Sequence, residues 1–211
     1  MTSRPYDSTL RRRQAAATRQ RVIEAALELF SRDGYGATSV ARIAEVAGVS
    51  TETVRTIGPK RLLLEEATVL ATFGTTEHLD LGDITTSSEA MGVDVHDAES
   101  WLTGMSSIIA RLNAQAAGIF RAFASAAADD PEIAESWAAQ QRTVRSAWVE
   151  FIAWLDRQGW ITSSADRDDL ATTVWLLTLA DTYSRIVVTG VDDDRYRRWL
   201  EASLRDLLFP S

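Results

Sequence analysis

The polar groups best suited to a specific contact lie in one short run, Ser50-Thr51-Glu52-Thr53-Val54-Arg55-Thr56. Short hydroxyl side chains and a guanidinium donate well to phosphate oxygens and to base edges in a DNA groove. Ser50, Thr51, Thr53, Arg55 and Thr56 are therefore candidate DNA contacts. Competing chemistries are poorly provided for. There is no cysteine, which removes disulfides, thiolate metal sites and cysteine nucleophiles. His78 and His96 are the only histidines, and no Gly-rich phosphate loop or metal-spaced cluster accompanies them. Asp129-Asp130 and Asp192-Asp193-Asp194 fall where helices are expected to start, and capping and the helix dipole explain acids there. Neither an enzyme nor a bound metal or cofactor is expected.

A polar run becomes a reading surface only when a frame holds it. Two short helices that cross steeply need small or apolar side chains at the crossing and a residue that tolerates positive φ in the turn. Ala44 suits the crossing and Gly48 the turn. Ile43, Ala47, Val49, Val54 and Ile57 supply apolar contacts on either side, so Ala44, Gly48, Val49 and Val54 are read as structural. Upstream, Val22, Ile23, Ala26, Leu27, Leu29 and Phe30 form one broad apolar face from Thr18 onward, ending at Gly34. Thr38 or Ser39 can cap a second helix to about Val46, and Ser50 a third to about Ile57. Gly58-Pro59 then breaks the chain before a fourth helix that runs through Leu62, Leu63, Leu64, Ala67 and Leu70.

Charge is distributed to match. The chain of 211 residues has a net charge of −8, yet residues 1–61 hold 11 Lys and Arg against 6 Asp and Glu. A basic leading segment, with Arg4, Arg11, Arg12, Arg13, Arg19 and Arg21, thus precedes an acidic remainder. Residues 79–100 lose the helical pattern and read as a linker rich in Gly, Ser, Thr and acids. Helices resume at about Trp101–Ala114, Ala116–Ala128, Pro131–Arg157, Asp166–Thr189 and Asp192–Leu208. The expected fold is all-α, with about nine helices: a three-helix helix-turn-helix head and a larger helical body. The expected divisions are a flexible basic arm (1–17), the head with its connecting helix (18–78), the linker (79–100) and the body (101–211). No apolar leader opens the chain. Asp181 and Arg185 interrupt its most apolar stretch, Val174–Val188, well short of a membrane span, so a soluble cytoplasmic protein is expected.

The run Thr18-Arg19-Gln20-Arg21-Val22-Ile23-Glu24-Ala25-Ala26-Leu27-Glu28-Leu29-Phe30 resembles the opening of TetR-family regulators. Gly34-Tyr35, Ala37-Thr38-Ser39-Val40, Ile43-Ala44, Ala47-Gly48-Val49-Ser50, Thr53-Val54, Gly58-Pro59-Lys60 and Leu63-Leu64 continue the likeness. The resemblance implies a repressor that binds a palindromic duplex operator as a homodimer. It implies phosphate contacts from Thr38 and Ser39, and one from Lys60, where the start of the fourth helix also favours an anion. The family usually has an aromatic, most often Tyr, where this chain has Arg55, and another where it has Ile57. Arg55 suits either a phosphate or a guanine.

The resemblance also implies a ligand-responsive body that pairs with its copy through the last two helices. All seven tryptophans lie in the body. Trp101, Met105, Phe120, Phe123, Trp148 and Trp175 are the candidate lining of a site for a small, partly apolar ligand, with Gln141 or Tyr183 as polar anchors. Ligand binding is expected to move the fourth helix and lower operator affinity. The alternatives are a transcriptional activator, or a helical binding module whose head no longer reads DNA.

Overall fold

In the computed structural model, which describes residues 6–73 and 92–210, the chain is all-α. Its nine helices among the described residues are α1 (Tyr6–Asp33), α2 (Val40–Ala47), α3 (Thr51–Ile57), α4 (Lys60–Phe73), α5 (Ala98–Asp129), α6 (Pro131–Arg157), α7 (Arg167–Thr178), α8 (Ala180–Val187) and α9 (Asp193–Leu208). Most of the expected linker lies outside the described residues.

Two compact units divide the chain, and the division falls within α5 and within α6. The first joins α1–α4 with residues 118–133, the corner between α5 and α6. Its centre is the apolar face expected of α1: Val22, Ile23, Ala26, Leu29 and Phe30 are fully buried. Ile43 from α2, Val54 from α3 and Leu63, Leu64 and Ala67 from α4 are equally sealed. Each large aliphatic or aromatic side chain buried in this way contributes about 1.5–3 kcal/mol. At the corner, Ile119, Phe123 and Ile133 are also buried. Gly118 permits a close approach there, because a Cβ on it would lie 2.8 Å from the Ser31 carbonyl oxygen.

Three element boundaries differ from the sequence reading. Residues 6–17, expected as a flexible arm, form the first turns of α1; no Gly or Pro interrupts 6–33, and Arg, Gln and Ala are strong helix formers. The break expected near Ala114–Ala116 is absent, because alanine and glutamine carry α5 through that stretch. The single helix expected over Asp166–Thr189 is two, interrupted by Leu179 in extended conformation (φ −65°, ψ 142°).

The second unit holds residues 92–117 and 134–210. Trp101, Leu102 and Met105 of α5, Ile152 and Leu155 of α6, Leu170 and Val174 of α7 and Tyr196, Leu200 and Leu204 of α9 belong to one buried cluster. The interruption at Leu179 frees backbone carbonyls that side chains then satisfy. The Asn113 amide donates to Thr178 O (3.0 Å) and to the Tyr196 hydroxyl (3.0 Å), and the Thr182 hydroxyl donates to Leu176 O (2.6 Å).

Candidate nucleic-acid interface

The turn between α2 and α3 is built almost entirely from local hydrogen bonds. Ser39 caps α2 by accepting from the Arg42 amide (3.1 Å). At the other end Gly48 adopts φ 65°, ψ 40°, the left-handed region where a side chain is disfavoured. The Gly48 amide donates to Glu45 O (3.2 Å) and the Val49 amide to Ala44 O (3.0 Å), the paired closure of a Schellman motif. Val49 therefore matters through its backbone, and Gly48 through its φ. Ser50 immediately caps α3, accepting from the Thr53 amide (3.0 Å). Ala44 and Val54 are buried, so α3 is held against α2 by one face and leaves the other free.

That free face carries Thr51, Glu52, Arg55 and Thr56, all exposed. The Thr56 hydroxyl donates to Glu52 O (2.9 Å), which leaves its oxygen as an acceptor. Thr53 is half-buried and shares a hydrogen bond with Ser50 (2.8 Å). Arg55 and Glu52 stand at the same three-residue separation as Arg42 and Glu45 on α2. The α2 pair closes at 2.7 Å. No ion pair joins Glu52 and Arg55 among the described residues. Glu52 was absent from the sequence-based contacts; its signal was its place on the Arg55 face.

Two expected phosphate contacts are differently employed. Thr38 is buried, its hydroxyl donates to Gly34 O (2.8 Å) and its amide to Tyr35 O (3.3 Å), so both donors are committed. Thr38 thus closes the α1–α2 turn, and the exposed Ser39 is the hydroxyl left beside it. Lys60, the sole lysine, is half-buried with its Nζ bonded to Tyr35 O and seated 4.0 Å from the centre of the Tyr35 ring. Burial pulls its pKa below the ordinary lysine value. The carbonyl and the ring's negative face hold the ammonium inward. Nearby, Arg61 of α4 pairs with Glu132 at the start of α6 (3.1 Å). Arg19 of α1 pairs with Glu66 of α4. Arg12, Arg13 and Arg21 remain exposed along α1.

Residues 22–54, the segment that builds this frame, match the family model described as bacterial regulatory proteins, tetR family. No curated protein matches the chain. Among solved structures, it resembles a Rhodococcus sp. protein assigned to the TetR family of transcriptional regulators (TM-score 0.72, 17% identity, 92% of this chain and 99% of that one). It also resembles the fatty acid degradation regulator FadR from Bacillus halodurans (0.65, 16%, 90% and 94%). A third likeness is to a Saccharomonospora viridis protein assigned as a transcriptional regulator and solved in complex with choline (0.63, 21%, 87% and 93%). Residues 22–54 thus carry the tetR-family sequence pattern, and the described helices share the fold of these regulators. No helix among the described residues is long and apolar enough to cross a membrane.

The body of this TetR-type fold divides the residues singled out for a ligand. Phe120 and Phe123 fall in the first unit with the head. Trp101, Met105, Trp148 and Tyr183 are buried members of the second unit's core, and Trp175 packs against that core half-buried. Trp101 stacks at a tilt on Phe151 (6.4 Å between ring centres) and Trp154 (6.2 Å). The Tyr183 hydroxyl donates to Asp193 (2.7 Å), so this expected anchor already has a partner. Gln141 is half-buried, while its neighbour Gln140 holds a buried amide oxygen with no hydrogen-bond partner. Trp101 Nε1, Trp175 Nε1 and Ser106 Oγ are likewise buried without one. Ser106 and Gln140 carried no periodic or motif signal. A separate open cleft of 340 Å³ between α5 and α9 is lined by Ser107, Arg111, Gln115, Asp193 and Arg197 among others, and by none of the expected ligand residues.

Proposed function

We propose that this protein is a ligand-responsive transcriptional repressor that binds a palindromic duplex operator as a homodimer. The observation that carries the reading is the α3 face: Thr51, Glu52, Arg55 and Thr56 stand exposed on a short helix capped at its start and pinned by Val54. Such a helix is the element that enters a major groove, with its N-terminal residues toward base edges. Ser39 and Ser50, with Thr51 and Thr53, are the hydroxyls proposed to meet the flanking backbone. Lys60 joins them if its ammonium swings off Tyr35, and exposed arginines of α1 add sequence-independent attraction.

Dimerisation through the last helices is supported by apolar exposure. Of the four large hydrophobic residues exposed among the described residues, Leu176, Val188 and Trp199 lie in the α7–α9 segment. A two-fold pair would cover them and place two α3 helices for two half-sites.

Ligand response is supported by the unpartnered polar atoms of the body. Each buried donor or acceptor left unmade costs about 1–3 kcal/mol, and a small molecule supplying partners to Trp101, Ser106, Gln140 or Trp175 would remove that cost. In the first unit, Arg61–Glu132 ties α4 to the α5–α6 corner, which supports α4 as the element through which the head is moved.

The test is binding of the full chain to duplexes selected from a random pool, measured across salt concentrations and then with candidate ligands. A palindromic motif, bound with a steep inverse salt dependence and released by a ligand, is expected. Weak binding without sequence preference overturns DNA reading. Ligands that bind the protein yet never alter operator affinity overturn the gating.

A further inference from the structure

Within α3, the carboxylate of Glu52 calls for a separate explanation. DNA presents phosphates on every side of the groove, so an acid on the reading face is repelled wherever it meets the backbone. Its position in the first turn is favourable for the helix dipole, but any first-turn position would serve that purpose. Only some of those positions share a face with Arg55.

The base edges offer a different environment. In the major groove the N4 amine of cytosine donates and is matched by a carboxylate, while the O6 and N7 of guanine accept and are matched by a guanidinium fork. Residues three apart on a helix are separated by about 4.5 Å along its axis, against about 3.4 Å between neighbouring base pairs, a difference that two long side chains can span. Glu52 and Arg55 have this separation and are both exposed on the free face. No ion pair joins them among the described residues, whereas Arg42 and Glu45 at the same interval pair at 2.7 Å. The two groups are thus available at once, one as acceptor and one as bidentate donor.

We propose that Arg55 and Glu52 are the sequence-reading pair of α3, with Arg55 taking guanine O6 and N7 and Glu52 accepting from cytosine N4 in a neighbouring base pair. The proposal rests on the DNA-reading function above and specifies what is read: a G·C-containing step in each half-site. It also assigns Arg55 to a base, leaving the phosphates to the hydroxyls and the α1 arginines. Glu52 then serves as a discriminator, because a thymine or guanine facing it offers an acceptor and leaves the carboxylate unpaired in the groove.

The experiment is selection from random duplexes with the full chain as wild type, Arg55→Gln and Glu52→Gln. Salt slopes are measured on the wild-type motif, and thermal unfolding confirms that these surface changes leave the fold intact. The wild type should enrich G·C pairs at two neighbouring positions per half-site. Arg55→Gln should shift one of them toward A·T, since glutamine pairs with adenine, and weaken binding to the original motif by roughly 10-fold or more. Glu52→Gln should relax the other position alone. An unchanged motif, with affinity lowered uniformly and a salt slope about one unit shallower for Arg55→Gln, makes Arg55 a phosphate contact and overturns the proposal. A wild-type motif without G·C at those positions also overturns it. Failure of the wild type to enrich any motif defeats the DNA-reading function itself.

Discussion

The α2–α3 head and the second unit solve the same problem, satisfying polar groups around an apolar centre, over different distances along the chain. In the head the partners are close neighbours: Ser39 with Arg42, Ser50 with Thr53, Gly48 with Glu45 and Val49 with Ala44. The second unit has local caps too, such as Asp166 and Asp192, but adds remote partners: Asn113 with Thr178 and Tyr196, Arg145 with Asp168, and Arg205 with Glu99. The geometry of this turn is therefore a property of about fifteen consecutive residues, 39–53. That of the body exists only once its helices have assembled. A local device can persist while the rest of a sequence changes, whereas a network of remote partners must change in concert.

This contrast can be tested with the molecule's own probes, because every tryptophan lies in the second unit and fluorescence reports that unit alone. The largest effect is expected from Leu155→Ala, which empties a fully buried site. It should lower stability in the fluorescence-detected denaturant transition by about 2–5 kcal/mol. Alkali should act next. Burial first, and for Tyr183 also the hydrogen bond to Asp193, pushes the phenols of Tyr183 and Tyr196 up to about 12. An unfolded tyrosine ionises near pH 10. The stability these phenols contribute is thus complete below about pH 10 and is lost as pH rises toward 12. Phenolate absorbance followed with tryptophan emission should show the two tyrosines ionising as the unit unfolds.

Asn113→Leu should cost about 1–3 kcal/mol in the same transition, because it strands the Thr178 carbonyl at the α7–α8 interruption. The smallest effect, about 1 kcal/mol, is expected from Ser50→Ala, which removes the α3 cap. It should weaken amide protection in α3 and duplex binding while leaving the fluorescence transition in place. If Ser50→Ala moves that transition as far as Asn113→Leu does, the two regions unfold as one and the contrast between them is lost.

The same contrast explains what could be read from the sequence. Gly48, Ser50, Ala44 and Val54 have their roles written within a few residues, and the head's helices follow from them. Thr38 shows the limit: its type suits a phosphate, but its burial depends on how α1 meets α2. Lys60 is tied to Tyr35, and that seat is visible only after folding. The interruption at Leu179 has no Gly or Pro to announce it. It depends on Asn113 reaching across from α5 and on Thr182 bonding back to Leu176. The unpartnered Ser106 and Gln140 could not be found by pattern, since an absent partner leaves no periodic trace.

Gly118 sets a steric condition on how α5 meets α1. With no side chain there, α5 lies against Ser31 of α1 so closely that a Cβ would meet both the Ser31 carbonyl and its Cβ at 2.8 Å. The flanking residues, Ala117 and Ile119, both carry the carbon that this notch excludes. The contact therefore works as a detent with a single register. A shift of α5 along α1 by one residue would bring a Cβ into Ser31 and wedge the two helices apart.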